Sequence, residues 1–147
     1  MLSNTCKYAI RAVIYLAVHE QKGQKIGIKK ISSDLNIPSP FLGKILQILT
    51  KNKLLNSTKG PNGGFCLGRS AGKICLLDIV EVIDGMDFFN NCLVGMKVCY
   101  NDKKMKEKCP FHESLDPIRG HLRSQFKTLT IGSFKKGLKD IDAFINL

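Results

Sequence analysis

Acidic residues are scarce in this chain. Twelve Asp and Glu stand against twenty-three Lys and Arg in 147 residues, which leaves a net charge of +11 and a pI near 9.5. Such a deficit favours a polyanionic partner, and nucleic acid is the commonest one. Long apolar runs are missing too. The longest stretch near the N-terminus is AVIYLAV, residues 12–18, against the roughly 20 residues a membrane span needs. No cleavage-site pattern follows it, so no membrane partner and a cytoplasmic location are expected. Histidine is rare: His19, His112 and His121 are scattered and lack an acidic partner pattern. No nucleophile, base and orienting group come together, which argues against an enzyme. There are no internal repeats and no low-complexity linker. With 44% hydrophobic residues, the chain is long enough to bury a core without covalent staples.

What is present is helical periodicity. Ala9, Ala12, Val13, Leu16 and Ala17 form the stripe of an amphipathic helix over residues 4–20, and Gly23 and Gly27 break it. A short helix is expected over residues 28–35, ended by Asn36-Ile37-Pro38. Ser39 then suits an N-cap, with Pro40 in the first helical position. In the helix running to about Asn52, Leu42, Ile45, Leu46 and Leu49 share one apolar face. Pro40, Gly43, Lys44, Gln47 and Lys51 fall on the other. A short helix, a tight turn and a second helix with a polar, cationic outer face make a helix-turn-helix pattern.

The next segment, LLNSTKGPNGGFCLG, sets two short apolar runs around Pro61, Asn62, Gly63 and Gly64. Asn-Gly is a strong hairpin signal, and glycines let a backbone approach a partner surface. A hairpin directly after a helix-turn-helix is a wing, here with Lys59 at the base of its tip. Lys44, Lys51, Lys53 and Lys59 are the expected source of salt-dependent phosphate affinity, with Ser39 and Gln47 best suited to base edges. A short helix over residues 76–83 follows, closed by Gly85. A further helix is expected to be capped by Ser114, with Asp116 and Pro117 in its first turn. Its narrow seam of Leu115, Ile118, Leu122, Phe126 and Leu129 suits a twin helix or the helix's own domain equally. A last amphipathic helix carries Phe134, Leu138, Ile141 and Ile145. The expected fold is mainly α with a small β-hairpin: a winged helix-turn-helix over residues 1–85, a cysteine-rich loop over 86–112 and helices over 113–147.

Six cysteines in an unsecreted chain argue against a disulfide scaffold. Cys6, Cys66 and Cys75 stand alone among apolar or small neighbours, as small buried hydrophobes do. The other three lie in CLVGMKVCYNDKKMKEKCPFH, spaced Cys-x6-Cys-x9-Cys-x2-His, from Cys92 through Cys99 and Cys109 to His112. Four such ligands satisfy tetrahedral zinc as well as an iron–sulfur cluster. A cofactor-free thiol sensor and an idle loop are further readings. Lys97, Lys103, Lys104, Lys106 and Lys108 would lower thiol pKa values there.

The sequence resembles the IscR/NsrR/CymR superfamily of bacterial winged-helix regulators, the Rrf-type proteins, along essentially its whole length. YAIRAVIYLA (residues 8–17), KGPNGGF (59–65) and LLDIVEVIDG (76–85) carry the resemblance most specifically. It implies a transcriptional regulator, a repressor in the leading reading, acting as a homodimer whose long helices cross at the two-fold axis. Each protomer would offer a recognition helix to a pseudo-palindromic site in double-stranded DNA. By position, Ser39, Pro40, Phe41, Gly43 and Lys44 would sit at the major groove and the wing in the minor groove. Lys59 replaces the wing's usual arginine, and Gly43 replaces a polar specificity residue.

In several members of that superfamily three loop cysteines hold an iron–sulfur cluster, of the 2Fe-2S or 4Fe-4S kind. The resemblance implies Cys92, Cys99 and Cys109 as ligands, with His112 as the fourth. Another branch takes an acidic residue from the partner's first helix, but the corresponding position here is Lys7. Such a site would sense iron–sulfur status, redox state or nitric oxide. The alternatives are a zinc site, thiol redox sensing, or control by a partner protein without a cofactor, as in CymR-like members, which generally lack this triplet.

Overall fold

Residues 2–20, 24–90 and 110–137 are described by the structure, a computed structural model, apart from the side chains of residues 112, 113 and 137. The first helix, α1 (Asn4–His19), begins where the Ser3 hydroxyl accepts the Cys6 N–H at 3.0 Å. Its expected stripe is buried. Ile14 and Tyr15 are buried as well, so the second half of α1 is enclosed almost all round. Enclosure leaves the Tyr15 hydroxyl needing a partner, and it donates to Asp34 at 2.6 Å.

Helix α2 (Ile28–Leu35) has the bounds its periodicity predicts. Asn36 ends it in the left-handed region at φ 51°, a conformation asparagine tolerates better than most residues. Ile37 N–H donates to Ser32 O at 3.1 Å and the Ser32 hydroxyl donates to Ile37 O at 2.6 Å, which fixes the turn into the next helix. Helix α3 (Ser39–Lys51) starts one residue earlier than expected. Pro38 is its cap, Ser39 its first residue and Pro40 its second. The shift costs nothing, because the first four N–H groups of a helix lack intrahelical partners anyway. Leu42, Ile45, Leu46 and Leu49 are all buried.

Strands β1 (Leu55–Thr58) and β2 (Gly64–Leu67) pair antiparallel, with Leu55 opposite Leu67 and Thr58 opposite Gly64. The connection spans residues 59–63 rather than a two-residue Asn-Gly turn. Gly63 N–H donates to Gly60 O at 2.9 Å, so Pro61 and Asn62 occupy the two central turn positions. Gly60 takes the positive φ of +106°, which Asn62 does not. A third extended segment joins the hairpin: Ile26 and Phe65 exchange two N–H···O bonds of 2.9 Å.

Helix α4 (Leu76–Ile83) also keeps its predicted bounds, and Gly85 follows at φ +74°. Asp78 accepts the Cys75 N–H at 2.9 Å and pairs with Arg69 at 3.1 Å. A short α5 (Asp87–Asn90) precedes the long α6 (Pro110–Thr128). The cap expected at Ser114 is corrected here: α6 opens with Pro110, and Pro117 lies inside it. Proline is acceptable at either opening, so its presence alone does not fix the start. Phe126 meets Phe89 edge to face at 5.7 Å, and Leu122 packs on a small core of Cys6, Leu77, Val80 and Phe89.

The last described helix, α7 (Ile131–Gly137), returns to the first core. Leu76 N–H donates to Leu129 O at 3.0 Å and Ile131 N–H to Ile74 O at 2.8 Å, placing Ile131 in the core with α1. Leu138, Ile141 and Ile145 lie outside the described residues. Among those described, no helix is long and apolar enough to cross a membrane.

Candidate nucleic-acid interface

Helix α3 buries one face completely and so presents the other. Pro40, Lys44, Gln47 and Lys51 are exposed, and Ser39 is half-buried at the start of the helix. Phe41, at 37% exposure, is seated edge-on against Tyr8 of α1 with ring centroids 5.7 Å apart. The Arg11 guanidinium lies over Tyr8 and donates to Leu35 O at 3.2 Å, tying this edge of α3 to the end of α2. At the far end, the Asn52 amide donates to Ile48 O at 2.9 Å and closes the last turn. The exposed face is thus held at both ends by side chains that do not belong to it.

Gly43 lies on this side of α3, half-buried near α2. A Cβ there would meet Ile28 Cδ1 at 3.3 Å, so glycine eases the packing of the Ile28 side chain against α3. Gly64 differs from the surface reading in a similar way. It is buried, and a Cβ on it would come within 2.5 Å of the Ile26 carbonyl oxygen. Both glycines permit close approach, but the neighbour is this chain's own backbone or side chain.

The wing tip is exposed through Lys59, Gly60, Pro61 and Asn62, while Gly63 is half-buried. Lys25 joins it, because the Ile26–Phe65 pairing brings the preceding residue alongside β1, where its amino group donates to the Thr58 hydroxyl. No local pattern in the sequence points to Lys25. Its position depends on a pairing 39 residues apart, between Ile26 and Phe65. Lys53 sits at the junction of α3 and β1 in the left-handed region, φ 60°. Helix α3 and the wing, which follow one another in the fold, thus both carry cations suited to neutralising phosphates. Ile48 is a further residue of this face that the pattern did not single out, at 41% exposure.

The single cysteines behave as expected of small buried hydrophobes. Cys6 and Cys66 are buried and Cys75 half-buried. Burial, aided by the Asp84 carboxylate, pushes the Cys6 thiol up to about 12. Burial also raises Cys66 and Cys75. All three stay neutral thiols at pH 7, poor as nucleophiles or ligands. Cys92, Cys99 and Cys109 lie outside the described residues, as does the side chain of His112, whose backbone belongs to α6. Among the described residues, no three His, Cys, Asp or Glu side chains come together as a metal site.

Comparison with known proteins agrees with this geometry. The sequence profile of the Rrf2 family, described as iron-dependent transcriptional regulator, matches residues 2–136. A protein of Aquifex aeolicus assigned as an HTH-type transcriptional regulator is 30% identical over 131 residues, covering 89% of this chain and 88% of that one. The HTH-type transcriptional regulator IscR of Xenorhabdus nematophila is 34% identical over 83 residues, 56% of this chain and 50% of its own. Among solved structures, CymR, the global cysteine regulator of B. subtilis, superposes with a TM-score of 0.75 over 95% of this chain and 98% of that one. At 19% identity it speaks for the fold.

Proposed function

The chain belongs to the Rrf2 family of transcriptional regulators, and from that premise we propose that it acts as a homodimeric repressor on a pseudo-palindromic operator. It is a DNA-binding regulator of the Rrf2, IscR and CymR type and not an enzyme. In the proposal, each protomer lays the exposed face of α3 in the major groove, with Ser39, Pro40, Phe41, Lys44, Gln47 and Lys51 toward the DNA. The wing residues Lys59, Pro61, Asn62 and Gly63 follow the adjacent minor groove. One observation carries this reading: α3 has a complete apolar face inward and an outward face that exposes Lys44, Gln47 and Lys51, followed by a wing that carries Lys59. Gly64 supports the surface by packing, and Gly43 keeps the start of the exposed face of α3 small.

The test is salt dependence. Lys59→Ala is expected to weaken binding to every duplex and to lower the slope of log affinity against log salt by about 0.9, one phosphate contact. A loss confined to one operator position would overturn the assignment of Lys59 to the backbone.

The sensing half of the proposal rests on Cys92, Cys99 and Cys109, with His112 as fourth ligand. The donor set fits an iron–sulfur cluster, of the 2Fe-2S or 4Fe-4S kind, since thiolates and imidazole are its ordinary ligands. Cys6, Cys66 and Cys75 are drawn into the fold as neutral thiols, which leaves the loop triplet as the donors for a shared group. When bound, the cluster supplies a centre sensitive to oxidation and nitric oxide. The chain's own part is transmission. The loop lies between α5 and α6, Phe89 and Phe126 join those helices, and both rest on α4, which touches α3. A change in the packing of α5 against α6 would thereby reach the recognition helix.

Anaerobic purification with an absorption spectrum and iron, sulfide and zinc analysis tests the site. A coloured protein with matched iron and sulfide is expected. A colourless protein with one zinc per chain would overturn the cluster. Equal affinity of both forms for one operator at one salt concentration would overturn the switch.

A further inference from the structure

The outward face of α3 is not uniformly polar. Ile48 stands on it at 41% exposure, one residue from Gln47 and three from Lys51. A single exposed aliphatic is ordinary on a protein surface, so exposure alone says little. Two further observations give it direction. Seven residues earlier, Phe41 lies on the same flank of the helix at 37% exposure. Its ring is held by Tyr8, so it does not fold back to cover its neighbour. The two therefore form an apolar edge about 10 Å long on a helix rising 1.5 Å per residue, about three base-pair steps of a duplex. Cations border that edge: Lys44 and Lys51 lie beside it on the same face.

An apolar edge rimmed by lysines suits a surface that is anionic at its margins and carries methyl groups at its floor. The major groove of A·T-containing DNA is such a surface, because thymine projects its 5-methyl group there and cytosine does not. We propose that Ile48 is a specificity-determining residue that seats a thymine methyl in each operator half-site, with Phe41 marking the other end of the same edge. The proposal rests on the DNA-binding reading above and deepens it. It also says how a recognition helix with glycine at position 43 can still discriminate bases. Part of the reading is done by shape and apolar contact, alongside whatever hydrogen bonds Gln47 supplies.

The experiment uses the full chain and a randomised duplex library. After selection, each thymine of the enriched sequence is replaced in turn by deoxyuridine, which removes the methyl and keeps the base pair. Affinities are measured at one salt concentration for the wild type, Ile48→Ala and Ile48→Gln. At one thymine per half-site the wild type is expected to lose about fourfold, the value of one buried methyl. Both variants are expected to lose nothing further at that same position, while remaining sensitive elsewhere. Unchanged sensitivity in the variants, or no sensitive thymine in the wild type, would overturn the inference alone. A change in the sedimentation of free Ile48→Ala would also overturn it, assigning the edge to a second copy of the chain. Enrichment of no sequence at all would overturn the operator reading itself, and this inference with it.

Discussion

Helices α3 and α6 divide their surfaces in opposite ways. Helix α3 sinks every member of its aliphatic stripe and turns lysines outward. Helix α6 buries Arg119, which pairs with Asp116 one turn before it, and leaves Phe111 and Ile118 each 63% exposed. Its apolar residues at 111, 115, 118 and 122 follow gaps of four and three, so they share one stripe. The C-terminal part of that stripe, Leu122 with Phe126, is covered by this chain's small second core, whereas Phe111 and Ile118 are exposed. A helix with its apolar stripe fully buried offers an outward face of lysines edged by Phe41 and Ile48. A helix half covered along its seam still has apolar contacts to make. The first is built for a charged partner, the second for another apolar surface, and a second copy of α6 is the one the proposed dimer supplies.

Substitutions can break or sharpen this contrast. The largest effect is expected for Leu46→Ala, which empties a fully buried site of α3. Urea unfolding should register a loss of about 2–5 kcal/mol, and a loss below about 1 kcal/mol would contradict the packing described for α3. Ile118→Asp should do the reverse, leaving the monomer's unfolding within about 0.5 kcal/mol as exposed sites do. It should convert the sedimenting species from two chains to one. If it remained dimeric, the seam of α6 would not be the interface.

Lys44→Ala combined with Lys51→Ala should leave stability unchanged and lower the salt slope of DNA binding by about 1.8, two phosphate contacts. The smallest effect is expected at Asp34, which ties α2 to α1. The Tyr15 hydroxyl, and then Lys30 at 3.0 Å, hold its carboxyl below the usual carboxylate range. A lowered folded value means stability that is present above the unfolded pKa and lost as pH falls through the folded one. Asp34→Asn should therefore melt lower than the wild type at pH 7, by under about 1 kcal/mol for so accessible a pair. The gap should close in acid as Asp34 itself protonates. A constant gap at every pH would assign the effect to something other than charge.

Much of the fold was legible locally. Helices α2 and α4 have the bounds expected of them because glycine or asparagine punctuates both. Helix starts were harder wherever two prolines competed, as at Pro38 and Pro40 or at Pro110 and Pro117. Each proline is acceptable at a helix start, so the residue type alone does not make the choice. The roles of Gly43 and Gly64 were half readable. Their smallness signals close approach, but only the Ile28 and Ile26 contacts reveal what approaches. Lys25 was hidden by a long-range pairing, and Ile48 by lying beside a buried aliphatic stripe with which its chemistry blends. The cysteine triplet was visible as spacing, and its ligand role is a matter for iron and sulfide analysis.

Ile131 shares a core with Ala9, Val13 and Leu16, the first helix of the chain. A ribosome making this protein therefore releases the three cysteines of residues 92–109 before it releases the residue that closes the DNA-reading unit. Under the proposed function, the order of synthesis places the cysteine segment ahead of the finished reader. If the proposed cluster is built there, the cysteines become available to iron and sulfide before the last core residue is made, so loading of the site and completion of the fold would overlap in time.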